Sequence, residues 1–309
     1  MVRLELASLL RQVRKVIYSY VEERKFLWLI YAKVMFAIYK IEHRLLLIAN
    51  NRPYIKNSDI YKKIDNKKIC HVLGNGMSVN ETIKNINDVD FVIAISSGGI
   101  LPLKIDMLIL ELHPLTDIGK ISLKDNVKYI NIIIDIVLRR NKKAIVFIKN
   151  LWRMNVSPNL YDPNKRLFVL HEMLCRFFPQ TKIDSEFEDF LIDYIVNIEN
   201  QYVIQVASSV ITAIIIAYKA GFEKIIIHGV DGGGAHFFHN SKYDTKEYEM
   251  LKDVIEYLRV GTPFIEKEVQ YKPGYMSKKI IEKINILGKI NNAGFQITYA
   301  DRINLNENI

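Results

Sequence analysis

From Lys67 onward the chain repeats short, unbroken apolar runs, each closed by glycine, serine or proline. "KKICHVL" runs into "GNGMS", "VDFVIAIS" into "SGG", and "IDMLILEL" into a His-Pro pair. "EKIIIHGVD" and "FQITYAD" follow the same form further on. Apolar runs of strand length without polar alternation suit strands buried on both faces, as in a parallel sheet. "VKYINIIIDI" and "KAIVFIK" read as two more strands, and "YVIQVASS" as a strand whose end opens a helix. Other segments place apolar residues three and four apart and read as helices: "SVITAIIIAYKAG", stopped at Gly221, "KYDTKEYEMLKDVIEYL" and "GYMSKKIIEKINILGKINNAG". Residues 164–200 read as mostly helical. Strands alternating with helices predict an α/β fold with a mostly parallel, doubly wound, Rossmann-like sheet.

Residues 1–50 keep a helical spacing throughout, with Arg11, Arg14, Lys15, Arg24 and Lys25 between the apolar positions. Residues 51–66 read as a linker. The expected organisation is an N-terminal helical extension and linker over 1–66 and a nucleotide-binding domain over 67–309. The apolar stretch Phe26–Tyr39 contains Lys33 and falls short of the roughly 20 residues a spanning helix needs. Two readings remain for the extension: a helical pair packed on the main domain, or a helix lying in a membrane interface with Trp28, Phe26 and Tyr31 at the boundary. The first residues lack the apolar core and small-residue cleavage site of a signal peptide.

Composition narrows the field. The 309 residues are 50% hydrophobic, which supports a sizeable core. The two cysteines, Cys70 and Cys175, form no spaced pair, so neither a disulfide framework nor a structural zinc site is expected. The formal net charge of +9 suggests an anionic partner. No RNP motif, zinc finger or arginine-rich arm is present, so nucleic acid is not the expected partner.

In an open parallel sheet, ligands sit beyond the carboxyl ends of the strands. The residues expected there are small and polar. Gly74, Asn75, Gly76 and Ser78 follow the first strand, Ser96 to Gly99 the second, and Glu111 and His113 the third. Ser208 and Ser209 follow a later one, and Asp231 to His239 close the set. Such groups suit a ligand rich in oxygens. "GNGMS" lacks the third glycine of a dinucleotide fingerprint, since Val79 stands in its place. Two glycines would still let backbone approach a phosphate, with the following helix start offering N–H groups.

The stretch "HGVDGGGAHFFHNSKY" combines Asp231, three glycines and the histidines His236 and His239. It suits a metal site, a phosphate cradle, a catalytic loop or a plain surface turn. Asp231, His236 and His239 could supply three ligands, but no H-E-x-x-H helix accompanies them, and no metal is expected. A histidine in a mobile loop is suited to proton transfer from a sugar hydroxyl. His228, at a strand end, reads as a satisfied core residue, and His71 has no evident neighbours.

"VLGNGMSVNE" at 72–81 and "SSVITAIIIAYKAGFEKIIIHGVD" at 208–231 resemble bacterial sialyltransferases of the Campylobacter and Haemophilus lipooligosaccharide type. Those enzymes carry G-N-G-P-S after a strand, then T-S-G before a helix, then a strand ending in G-I-D. The strand-and-turn start also resembles motility-accessory-factor glycosyltransferases and pterin diphosphokinase-like proteins. The resemblance covers roughly residues 67–240.

It implies a GT-A-like single nucleotide-binding domain with a small lid, placed here around 232–278. It implies a CMP-activated acidic sugar, sialic acid-like or Kdo-like, as donor, with no further cofactor. The acceptor would be a surface glycan or glycolipid. Gly74, Asn75, Gly76, Ser78, Ser97 and Ser209 match nucleotide-contacting positions, and Gly232 and Gly233 extend that set. Asp231 matches the aspartate of G-I-D. Met77 replaces the family's proline, and Gly233 its tyrosine two residues past the aspartate. The family's lid histidine has no counterpart in "QYKPGYMSKKIIEK", so His236 or His239 becomes the expected general base of an inverting transfer. The backbone N–H groups of Gly232–Gly234, with Tyr243, Lys242, Tyr271 or Lys272 behind them, are the expected donors to the leaving phosphate. The basic extension would then hold the enzyme at the inner face of the cytoplasmic membrane, and self-association stays open. A diphosphokinase needing Mg²⁺ and a non-catalytic scaffold are the competing classes.

Overall fold

The computed structural model describes residues 68–110, 123–148, 167–169, 172–173, 185–197, 203–204, 209–230, 236–261 and 273–300, and five helical positions between 26 and 37. The strands are β1 (Ile69–Leu73), β2 (Phe91–Ile95), β3 (Met107–Leu110), β4 (Ile145–Ile148), β5 (Leu167–Val169), β6 (Glu172–Met173), β7 (Val203–Ile204), β8 (Lys224–His228) and β9 (Gln296–Tyr299). The helices are α1 (Val79–Thr82), α2 (Leu123–Arg140), α3 (Ser185–Asn197), α4 (Ser209–Lys219), α5 (Lys252–Gly261) and α6 (Pro273–Asn291).

Seven strands form one sheet in the order β5-β4-β3-β2-β1-β8-β9, and β6 pairs with β7 in a separate ribbon. Every pairing is parallel. The chain builds outward from β1 in one direction through β5, then returns to the other side of β1 with β8 and β9. The order therefore reverses between β1 and β8. Their carboxyl ends, Leu73 and His228, stand in register.

Alternation along the strands divides the core in two. Cys70, Val72, Ile93, Ile225 and Ile227 pack against α3, α4 and α6. Leu73, Val92, Ala94 and Leu108 pack against α2, α5 and the short helical turns Phe237–His239 and Ser241–Asp244. Burying both sides of the strands explains their unbroken apolar runs. At Gly221 α4 stops as expected: the residue has φ +83°, and the bonds Gly221 N to Tyr218 O and Phe222 N to Ala217 O close the helix end.

The expected strand "VKYINIIIDI" is instead part of α2, an 18-residue helix. Its buried positions Tyr129, Ile130, Ile133, Ile134, Ile136 and Val137 recur at helical spacing. The isoleucine-rich composition imitates a strand, but the period is that of a helix face. Residues 164–200, expected to be mostly helical, hold β5 and β6 as well as α3. The expected helix "KYDTKEYEMLKDVIEYL" begins as two short 3-10 turns before α5. Of the N-terminal extension, Leu27 packs on the first core cluster. Phe26, Ile30 and Val34, four residues apart, are exposed. Apart from these and Ala37, residues 1–66 lie outside the described residues, Trp28 and Tyr31 among them.

Candidate functional site

The site grows from the gap between β1 and β8. Gly74 N–H donates to the His228 carbonyl and Gly76 N–H to the Gly229 carbonyl, both at 2.8 Å. These bonds zip the two strand ends together past the last residue of the sheet. A Cβ on Gly74 would overlap the Gly229 carbonyl oxygen. Gly229 has φ +62°, and a Cβ there would come within 2.9 Å of the Val79 side chain. Glycine is therefore required by the close approach of two turns.

This corrects the expectation of free amides over the turn. The N–H groups of Gly74 and Gly76 are occupied by backbone carbonyls. α1 is a single turn, and the amides of Val79 and Asn80 bond to the Gly76 and Met77 carbonyls. Asn75 Oδ1 accepts from Gly98 N–H at 3.1 Å, tying the β1 turn to the Ser96–Ile100 turn after β2. Ser97 is 2% exposed and sits in the core, whereas Ser96 is only half-buried. Ser96 holds φ 49°, a left-handed conformation rare outside glycine and costing of order 1–3 kcal/mol. The sequence pointed to Ser97, but Ser96 is the strained hydroxyl at this strand end. Ser209 is buried at the first position of α4.

His236 is brought to the same place by backbone pairing. It forms an antiparallel bridge with Gly76, and the next residue, Phe237, donates its N–H to the Asn75 carbonyl at 2.8 Å. Asn80 Nδ2 donates to the Phe237 carbonyl. Phe237 and Phe238 are buried and anchor the segment, and the His236 ring stacks on Phe238 at 5.1 Å. Arg259 of α5 then clamps it, donating to the carbonyls of Phe238 and Asn240 and pairing with Asp244 at 2.6 Å. From His236 onward the segment is thus pinned, unlike the loose glycine loop expected from the sequence. Arg259 was not legible as a site residue, because its three partners lie 15 to 21 positions away.

Burial holds the His236 imidazole below its ordinary pKa, His239 lowers it further, and the Asn75 backbone draws it partly back. It is therefore neutral at pH 7 and able to accept a proton. The His239 ring lies 6.4 Å from that of His236. Tyr243, expected to assist a leaving phosphate, is 3% exposed and donates its hydroxyl to Asn80 Oδ1 at 2.8 Å. It is a strut between this segment and α1. Asp231, Gly232 and Gly233 lie outside the described residues, as do Glu111, His113, Ser208, Tyr271 and Lys272.

Two histidines passed over in the sequence also meet here. His71 Nδ1 is 2.8 Å from His228 Nε2, and His71 Nε2 is 3.1 Å from Asp90 Oδ2. His71 is thus far from lacking neighbours, and His228 belongs to a polar chain inside the sheet. Burial lowers the pKa of both, and His228 is pushed down to about 3.

A cavity of about 370 Å³ lies at the opposite, amino end of the sheet, lined by Tyr218, Lys219, Phe222 and Phe295 among others. Among the described residues no group of three or more His, Cys, Asp or Glu side chains is placed to hold a metal ion. No described helix is long and apolar enough to cross a membrane.

No family model matches the chain, and no curated protein does. Solved structures do. The monofunctional α-2,3-sialyltransferase Cst-I from Campylobacter jejuni is 16% identical, with 76% of each chain covered and a TM-score of 0.37. CstII from Campylobacter jejuni with cytidine-5'-monophosphate is 16% identical, with 75% of this chain and 79% of that one covered and a TM-score of 0.35. CST-II in complex with a trisaccharide acceptor and CMP is 15% identical, covering 76% and 82%, with a TM-score of 0.36. All three of these structural neighbours are sialyltransferases.

Proposed function

We propose that the chain is a sialyltransferase-like glycosyltransferase moving an acidic sugar from a CMP-activated donor to a glycan acceptor. One observation carries the reading: the motif turn Gly74–Ser78 and the His236 segment are bonded to each other where the strand order reverses. In α/β sheets that crevice is where nucleotides bind. The nucleotide lies along the strand-end turns, contacted by the side chains of Asn75, Ser78 and Ser96, with Ser97 and Ser209 behind them. His236, neutral and half-buried, takes the proton of the acceptor hydroxyl as that oxygen attacks the anomeric carbon from the face opposite CMP. The configuration inverts. His239 is a supporting neighbour. Asp231 and the amides of Gly232–Gly234 are the proposed partners of the departing phosphate.

A doubly wound domain over 67–309, with a lid around 232–278 whose base is the anchored stretch 236–261, completes the proposal. So does a cytoplasmic location at the membrane surface. The apolar positions Phe26, Ile30 and Val34, exposed on one helix face, support contact with an anionic bilayer, as does the net charge of +9. Sedimentation with anionic vesicles, and its loss in Phe26→Glu, tests that part.

The central test is calorimetry and thermal shift with CMP, UDP, GDP and ATP, each with and without Mg²⁺. Metal-independent stabilisation by CMP is expected, followed by turnover of a CMP-linked sialic acid. Binding of ATP only with Mg²⁺ would replace this reading with the diphosphokinase. A chain that binds no nucleotide and turns over no CMP-sugar would be a scaffold.

A further inference from the structure

Inside the sheet is a polar chain that the proposed reaction does not use. His71 of β1 and His228 of β8 project from the same face of adjacent strands, with ring centroids 5.1 Å apart. Each residue is 2% exposed. Asp90, at the start of β2, is also buried, and its Oδ2 receives both His71 Nε2 at 3.1 Å and Asn87 Nδ2 at 3.3 Å.

The carboxylate sets the direction of every proton in the chain. Asp90 can only accept, so His71 carries its hydrogen on Nε2 and offers a lone pair at Nδ1. His228 Nε2, 2.8 Å from that lone pair, must therefore be the donor. This leaves the His228 Nδ1 lone pair, a buried acceptor with no hydrogen-bond partner among the described residues. Buried polar atoms without partners are uncommon and costly. This one sits on the residue whose carbonyl receives Gly74 N–H, directly below the site turn.

We propose that Asp90, His71 and His228 form a proton relay whose entry point is His228 Nδ1. A proton binds at Nδ1, and the Nε2 proton of His228 passes to His71 Nδ1. His71 becomes an imidazolium held between Asp90 and a neutral His228. One proton enters, one hydrogen bond reverses its polarity, and no heavy-atom bond changes. The entry atom thereby turns from acceptor to donor.

The surroundings explain where the charge rests. Burial strongly disfavours charge on His228, and a charged His71 would disfavour it further. Asp90 partly offsets the burial of His71, through both its hydrogen bond and its charge. Lys224, at the start of β8, acts in the opposite sense on His71. The single turn α1 meets Gly229, the residue after His228, through the apolar Val79. The relay depends only on these side chains and stands whatever ligand the turns bind.

The test is a histidine side-chain ¹⁵N titration of the full chain from pH 8 to pH 4. Expected at pH 8 are two neutral rings, both protonated on Nε2. On acidification His71 should become an imidazolium in the same step in which His228 changes to its Nδ1-protonated neutral form. Asp90→Asn should lower the midpoint of that step by about one pH unit or more. His228→Gln should leave His71 titrating without a coupled partner. Independent titration of the two rings, or a His228 hydrogen on Nδ1 at pH 8, would overturn the relay. The wild-type titration decides the matter even where a variant fails to fold.

Discussion

The molecule holds two pairs of histidines around β1 and β8, and they differ in almost every respect. His236 and His239 are three residues apart, half-buried, and carried by a segment laid over the turns. His71 and His228 are 157 residues apart, sealed in the sheet and wired to a carboxylate. The first pair follows the segment bonded to the Gly74–Ser78 turn, where the proposed ligand would lie. The second lies in the strands below that turn. A histidine's role is thus decided by what its second nitrogen faces and by whether solvent reaches the ring, more than by the residue type.

Four measurements break or sharpen that contrast. The largest effect is expected at the open pair. His236→Ala should lower turnover of a CMP-linked donor by about 10²–10⁴-fold, the usual worth of a general base, with nucleotide affinity little changed by calorimetry. A collapse of affinity instead would make His236 a ligand contact.

The turn that separates the pairs comes next. Gly74→Ala drives a methyl group into the Gly229 carbonyl and should cost about 1–3 kcal/mol in urea unfolding. An unchanged midpoint would show that the two strand ends can part without penalty.

The sealed pair should appear in the pH dependence of stability. Both folded pKa values are depressed, so below about pH 6.5 the unfolded chain binds more protons than the folded one. Stability from these groups is complete above that pH and declines as pH falls towards 3. The slope should reach about 1.4 kcal/mol per pH unit for each proton taken up. His228→Gln should flatten the slope. A slope that this variant leaves unchanged would erase the contrast between the pairs.

The smallest effect is expected at Tyr243. Removing its hydroxyl in Tyr243→Phe breaks the bond to Asn80 and should cost about 1 kcal/mol, without altering the pH profile. A large loss of turnover with stability intact would return this tyrosine to the leaving-group role.

Much of the fold was readable because its signals are local. Unbroken apolar runs marked β1, β2, β3, β4, β8 and β9, and Gly221 marked the end of α4. The reading failed at α2, where consecutive isoleucines hide a helical face among residues that favour strands. For the site, the turn at Gly74–Ser78 and His236 were legible as short motifs. Arg259 and the Asp90–His71–His228 chain were not, since nothing in their neighbourhoods along the chain announces a partner.

The sequence alone determined the layering, a parallel α/β sheet with small polar residues at the strand ends, because hydrophobic period and turn chemistry act over a few residues. Only the tertiary structure decided what each polar group does. It assigned the glycine amides to backbone carbonyls, the Tyr243 hydroxyl to Asn80, and the two passed-over histidines to each other. The reason is physical: a buried donor or acceptor must find its partner in space, and the order in which strands pair sets that neighbourhood across any distance in the chain.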